Sequence, residues 1–189
     1  MVWNIPTNEK ELYLTFDDGP HETATPFVLD QLKQFNAKAT FFCLGKNVVA
    51  YPGIYKRIID EGHATGNHTF DHTNGWKAQN DEYVNSIIEA EKYIHSKLFR
   101  PPYGKISPFV SKLIRKRLGY KIIMWDVLSA DFDEKISPEK CTENVLLNVR
   151  PGSIIVFHDS TKAWERMHYA LEKTLQYFSR QGFSFKAIS

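Results

Sequence analysis

Two adjacent aspartates, Asp17 and Asp18, stand where the apolar run Leu12, Tyr13, Leu14, Phe16 stops at Gly19-Pro20. Neighbouring side chains on a strand point to opposite faces, so both carboxylates serve one pocket only if the chain bends, and Gly19-Pro20 supplies the bend. Further along, His68 and His72 are four apart, a spacing that puts two imidazoles on one face of a helical turn. Two histidines and one aspartate make a three-ligand metal site with open positions, an arrangement suited to chemistry rather than to holding a fold. On its own the triad fits a hydrolase or a non-haem iron oxygenase.

A hydrolytic metal site needs a base for the water, donors for the oxyanion and an acid for the leaving group. With Asp18 as ligand, Asp17 is free as the base, and Arg100 is expected to orient it through a bidentate pair. His158, closing the run Ile154-Ile155-Val156-Phe157, is the candidate acid, and Asp131 is the candidate carboxylate that raises its pKa. An oxygenase does not explain these residues. A glycosidase also uses two carboxylates, but at about 5 to 9.5 Å on either side of the scissile bond, which adjacent aspartates serve poorly.

Strand-like runs precede these groups. Residues 11–16, 37–44, 63–67, 120–125, 153–157 and 183–188 read as strands. Helical spacing covers 25–35, 47–61 with an interruption at Tyr51-Pro52-Gly53, 81–98, 107–118, 138–148 and 161–179, while 126–133 reads as a polar loop. Alternation of short apolar strands with longer helices indicates a mostly parallel sheet covered by helices. The expected fold class is α/β, a distorted (β/α) barrel of about seven strands. Polar residues follow strand after strand: Asp17 and Asp18, His68, Arg100, Asp126 and Asp131, His158. Strand ends in such a barrel converge on one mouth, where active sites are built.

The 189 residues, 42% hydrophobic and 24% charged, fit one domain over 1–189. A formal charge of +2 with scattered basic residues gives no footprint for nucleic acid, and no run reaches the roughly 18 apolar residues of a membrane span. Residues 1–10 lack a charged start followed by an apolar core, which leaves location open between the cytoplasm and a trimmed envelope protein. Cys43 and Cys141 read as free thiols.

The motifs, taken in order, resemble carbohydrate esterase family 4, the NodB-homology polysaccharide deacetylases. The likeness rests on residues 15–20 (Thr-Phe-Asp-Asp-Gly-Pro), on His68-Thr69 with His72, on residues 100–104 (Arg-Pro-Pro-Tyr-Gly), on Ser129-Ala130-Asp131-Phe132 with Trp125-Asp126 upstream, and on Val156-Phe157-His158. It implies Asp17 as catalytic base, with Asp18, His68 and His72 as metal ligands and Thr69 holding their loop. It further implies Arg100 as the group orienting Asp17, the Tyr103 N–H in the oxyanion hole, and His158 with Asp131 as the acid. Pro101, Phe132 and Val156 are implied as substrate-binding positions; Phe132 stands where the family usually has Trp, and Val156 where it usually has Leu.

Activity implied by the resemblance is removal of N-acetyl groups from N-acetylglucosamine-containing polysaccharide or oligosaccharide, with release of acetate. The implied cofactor is a divalent metal, zinc first, with cobalt, manganese or nickel as alternatives. A monomer is expected, acting on an N-acetylated glycan. Peptidoglycan, chitin oligosaccharides and O-acetylated xylan stay open as substrates, as does a non-catalytic carbohydrate-binding relative. Trp76, beside the Asn74-Gly75 turn, either stacks on a sugar ring or packs against the helix that follows.

Overall fold

Alternation along the first strand sets the layout. In β1 (Glu11–Asp17), Leu12, Leu14 and Phe16 join the largest core cluster, under the helices, while Tyr13 belongs to a separate inner cluster with Phe42, Leu98, Ile123, Ile154 and Ile188. Thr15 and Asp17 lie two and four residues beyond Tyr13 and so share its inner face. Full burial of each Leu, Ile or Phe contributes about 1.5–3 kcal/mol, which fixes the register of the strand against slipping by one residue.

The computed structural model describes residues 1–189. Its further strands are β2 (Ala39–Cys43), β3 (Ala64–Asn67), β4 (Leu98–Phe99), β5 (Lys121–Ile122), β6 (Val127–Leu128), β7 (Ile154–His158) and β8 (Ser184–Phe185). They run parallel in the order β5-β4-β3-β2-β1-β7-β6, with β8 added at the start of β1. Helices α1 (Ala24–Gln34), α2 (Gly45–Ala50), α3 (Pro52–Asp60), α4 (Asn80–Glu91), α5 (Pro108–Arg117), α6 (Pro138–Leu146) and α7 (Trp164–Arg180) cover the outside. Ser107 and Ser137 each cap a helix by accepting an N–H, at 3.2 Å, from Val110 and Lys140, and a proline follows each at the first helical position.

The sheet curls into a half-barrel, as the sequence leads one to expect, but β5 and β6 do not pair with each other. Residues 2–5 stitch that seam. Val2 donates to Ile122 O at 2.9 Å and accepts from the Met124 N–H at 2.7 Å, while the Ile5 N–H reaches Gly152 O at 2.8 Å. Gly152 is required there: its φ is +83°, and a Cβ would stand 2.0 Å from Ile5 O.

Several elements depart from the sequence reading. The helix expected over 81–98 ends at Glu91, and its buried face narrows to Tyr83, Ile87 and Ala90, with Ile88 and Tyr93 exposed. Of 120–125 only Lys121–Ile122 pairs as strand, because the Met124 N–H is diverted to Val2. The loop at 126–133 contains β6, which pairs with β7. The expected closing strand 183–188 shortens to Ser184–Phe185.

Register then decides what meets at the mouth. Asp17 lies directly beside His158 of β7 and Phe42 of β2, and Asn67 lies beside Cys43 and Phe99. The residues that follow these strand ends, Asp18, His68 and Arg100, emerge at the same level.

Candidate active site

The expected ligand triad assembles. The Asp18 Oδ1 atom lies 3.2 Å from His72 Nε2 and 3.7 Å from His68 Nε2, and the three donor atoms fall within 4.8 Å of one another. His68 Nδ1 sits 2.8 Å from the Arg100 carbonyl, which only accepts, so that nitrogen carries a proton and Nε2 is the one turned toward Asp18. Burial, then the neighbouring His68, holds His72 down to about 4 against the pull of Asp18 and Asp17, so the His72 imidazole is neutral near pH 7. Asp18 Oδ1 is buried and has no hydrogen-bond partner. An orphaned carboxylate oxygen facing two imidazole nitrogens is a cost unless a cation joins them, so the residues present fit a divalent metal.

The two histidines do not lie on a helical turn. Their segment is loop, with Thr69 at φ +67° and His72 at φ +66°, so the four-residue spacing brings them together through a folded-back chain. The Asn67 side chain accepts from the Thr69 N–H at 2.8 Å, and Thr69 Oγ1 accepts from the Thr73 N–H at 3.1 Å. Asp18, Tyr103 and Ala130 also have positive φ, at +79°, +60° and +60°. Each such non-glycine residue costs about 1–2 kcal/mol, and all five surround the mouth.

Beside the triad stand two ion pairs. Arg100 is 0% exposed, lies 4.2 Å from the Phe42 ring centroid, and gives one N–H group, Nη1, to both Asp17 Oδ1 and Thr15 Oγ1 at 2.7 Å each. The expected bidentate pair is therefore absent: Nη2 and Nε are taken by the carbonyls of Met124 (2.9 Å) and Ile123 (3.3 Å). Thr15 and Asp17 sit two apart on one face of β1, which is why a single guanidinium nitrogen reaches both. Burial pushes the Asp17 carboxyl up, but Arg100, His68 and His158 outweigh it and hold it below the usual carboxylate range, so Asp17 is ionised.

The second pair is Asp131 with His158. One carboxylate oxygen lies 2.7 Å from His158 Nδ1 and the other accepts the His158 N–H at 2.7 Å. Burial disfavours the imidazolium, yet Asp131, with Asp18 and Asp17 behind it, pushes His158 up to about 9. Arg166 steadies this corner, its Nε donating to Asp131 O at 2.7 Å.

A cleft of about 450 Å³ joins the pieces, lined by Asp17, Asp18, His68, His72, Pro101, Tyr103, Phe132, Val156 and His158 among others. Phe132 sets its edge against His158, ring centroids 5.3 Å apart, and Tyr103 does the same to His72 at 4.5 Å. The turn after Arg100 uses Gly104 N–H to Pro101 O and Lys105 N–H to Pro102 O, both 3.0 Å, which leaves the Tyr103 N–H outside its own hydrogen bonds. Two expected residues lie elsewhere. Trp76 is 70% exposed and outside the lining, neither buried on α4 nor in the cleft. Asp126 points to the far end of β7, accepting from the Ile154 N–H at 2.8 Å.

Leu128, Lys105 and Lys162 complete the lining without having been marked by the sequence, together with Trp125 from the motif upstream of Asp131. Asp159 is also new: fully buried behind the Asp18-Gly19 turn, it accepts from Thr25 Oγ1 at 2.5 Å, and burial pushes it up to about 8. A Cβ on Gly19 would stand 2.1 Å from its Oδ2, so this glycine is needed to seat Asp159. Its signal was present, since it follows His158 at the end of an apolar strand.

The polysaccharide deacetylase family profile matches residues 4–123. A peptidoglycan-N-acetylglucosamine deacetylase of Bacillus cereus is 44% identical over 161 residues, covering 82% of this chain and 58% of that one. A second of the same name and organism is 35% identical over 196 aligned positions, covering 100% of this chain and 91% of that one. The crystal structure of a peptidoglycan N-acetylglucosamine deacetylase, in complex with a naphthalenyl-N-oxidanyl-benzamide, superposes with a TM-score of 0.92 at 39% identity, over 99% of this chain and 90% of that one. Profile, relatives and superposed fold agree, and the chain belongs to the polysaccharide deacetylase family.

Proposed function

We propose that this chain removes N-acetyl groups from N-acetylglucosamine units of a peptidoglycan or chitin-like glycan, releasing acetate. One observation carries the reading: β1 and β7 are registered so that Asp17, ionised, and His158, held above the usual histidine range by Asp131, stand side by side next to the Asp18-His68-His72 triad. A base and an acid at adjacent strand ends serve the two proton transfers that amide hydrolysis needs.

Asp18, His68 and His72 hold the divalent ion, for which two imidazoles and one carboxylate suit zinc, with cobalt, manganese and nickel as competitors. When bound, the ion supplies Lewis acidity to the amide carbonyl and to water. Asp17 takes the proton of the attacking water, and Arg100 keeps that carboxylate ionised and fixed in direction. Negative charge developing on the carbonyl oxygen faces the free Tyr103 N–H. As the C–N bond breaks, the amine takes the proton from His158, and the acetyl group leaves as acetate. Pro101, Phe132 and Val156 wall the space for the methyl group.

Acetate release from peptidoglycan strands, chitin oligosaccharides and O-acetylated xylan, with chelator and with added zinc, tests this. Metal-dependent acetate release with chain length unchanged is expected on the N-acetylated polymers. New reducing ends, or acetate from xylan alone, would overturn it.

A further inference from the structure

The two segments that carry the ligand triad are held by one short stretch of chain. Past the end of β2, Leu44 donates its N–H to Gly19 O at 2.9 Å, Gly45 donates to Thr69 O at 3.0 Å and Lys46 to Phe70 O at 3.0 Å. Asn47 completes the series through its side chain, with Nδ2 donating to Asp18 O at 2.7 Å. Four successive residues thus take four carbonyls, two from the turn that bears Asp18 and two from the loop that runs from His68 to His72. The first three bonds come from the main chain, and only the fourth depends on which residue stands there.

That fourth bond bears on a carboxylate. Asp17 is aimed by Arg100, whereas Asp18 Oδ1 accepts no hydrogen bond, so the direction of the Asp18 side chain comes from the main chain that carries it. The main chain there stands at φ +79°, a left-handed conformation that a non-glycine residue keeps only when its surroundings retain it. A carbonyl only accepts and an amide nitrogen only donates, so the Asn47 side chain can meet the Asp18 peptide in one orientation alone. We infer that Asn47 is a positioning residue of the metal site: it fixes the Asp18 peptide so that the carboxylate stays aimed between His68 and His72, and it ties the turn of one ligand to the helix, α2, that already holds the loop of the other two. The inference rests on the ligand triad and draws nothing from the acetyl chemistry. Asn47 does not reach the ion itself, so its loss misaims one ligand and leaves the two imidazoles in place.

Two readouts test this: zinc affinity, from competition with a chelator, and the visible spectrum of the cobalt(II)-loaded protein. They are taken on the full chain as wild type, Asn47→Ala, Asp18→Ala and the double variant, with Asn47→Leu as a second replacement that keeps the bulk and loses the donor. Val49→Ala, at an exposed position of the same helix, is the control. Asn47→Ala and Asn47→Leu are each expected to weaken zinc about tenfold, as loss of a group that orients a ligand does, and to move the cobalt bands toward those of Asp18→Ala. Val49→Ala is expected to match wild type in both. Once Asp18 is alanine, removing Asn47 is expected to change zinc affinity by less than about twofold, because the side chain it aims is gone; a residue that only supports the fold would weaken zinc in both backgrounds. Zinc affinity within about twofold of wild type in both Asn47 variants, or an undiminished Asn47 effect in the Asp18→Ala background, overturns the inference alone. A wild type that takes up no zinc overturns the ligand triad and this inference with it.

Discussion

Replacing Asp131 with Asn probes the acid directly. Asp131 holds His158 by two contacts of 2.7 Å, one to the N–H and one to Nδ1. Asparagine keeps an oxygen for the N–H but turns an amide donor toward Nδ1, which can meet it only as a lone pair, so the imidazolium is disfavoured. The sign follows from the direction of the shift: His158 is pushed up to about 9, so its acidic form is present below that pH and lost above it. If the value returns to the ordinary 6.5, protonated His158 at pH 8 falls from about nine-tenths to about 3%, a loss of about thirtyfold. Acetate release measured across pH on Asp131→Asn should show the alkaline limb moving from near pH 9 toward neutral, with rate at pH 6 much less affected than at pH 8. A limb that stays near pH 9, in a variant that melts like the wild type, would refute His158 as the acid tuned by Asp131.

Arg100→Met removes the buried guanidinium that pairs with Asp17 and leaves that carboxylate buried without it; breaking such a pair costs about 3–5 kcal/mol, or about 6 to 20 °C in Tm for a chain of this size. Thermal unfolding checks this, and a Tm within about 2 °C of wild type would show that the pair contributes little. Asp18→Ala deletes the orphaned ligand oxygen and should weaken zinc binding by at least about a hundredfold, read as metal content after dialysis. Retention of stoichiometric zinc would remove Asp18 from the ligand set.

The strand-end logic anticipated which side chains meet at the mouth because it rests on simple periodicity. Asp17 and His158 each close an apolar run, and once parallel pairing is assumed their meeting follows from register. His68 and His72 were visible by spacing, yet spacing says nothing of φ, and the left-handed Thr69 and His72 replace the helical turn that it suggests. Arg100 was legible as a partner of Asp17 but not in its geometry, because its other donors are spent on Ile123 and Met124 carbonyls that no side-chain pattern reports. Asp126 misled for a related reason. β6 is two residues long, too short to show a period, and pairing with β7 turns Asp126 away from the mouth while Asp131 reaches it. Lys105 and Lys162 carry no periodicity at all, and only the shape of the cleft singles them out.

The stitching of residues 2–5 into the open seam bears on the order in which the molecule assembles. Val2 bonds to residues about 120 positions later, and the same stretch supplies the Ile123 and Met124 carbonyls that cradle Arg100. Pairings between such distant parts of the chain carry the largest loop-closure cost and form late. Residues 2–5 thus wait for β5 and β7 before they dock, and the guanidinium beside Asp17 acquires its final surroundings only then. Completion of the fold and the seating of Arg100 against Asp17 become a single event.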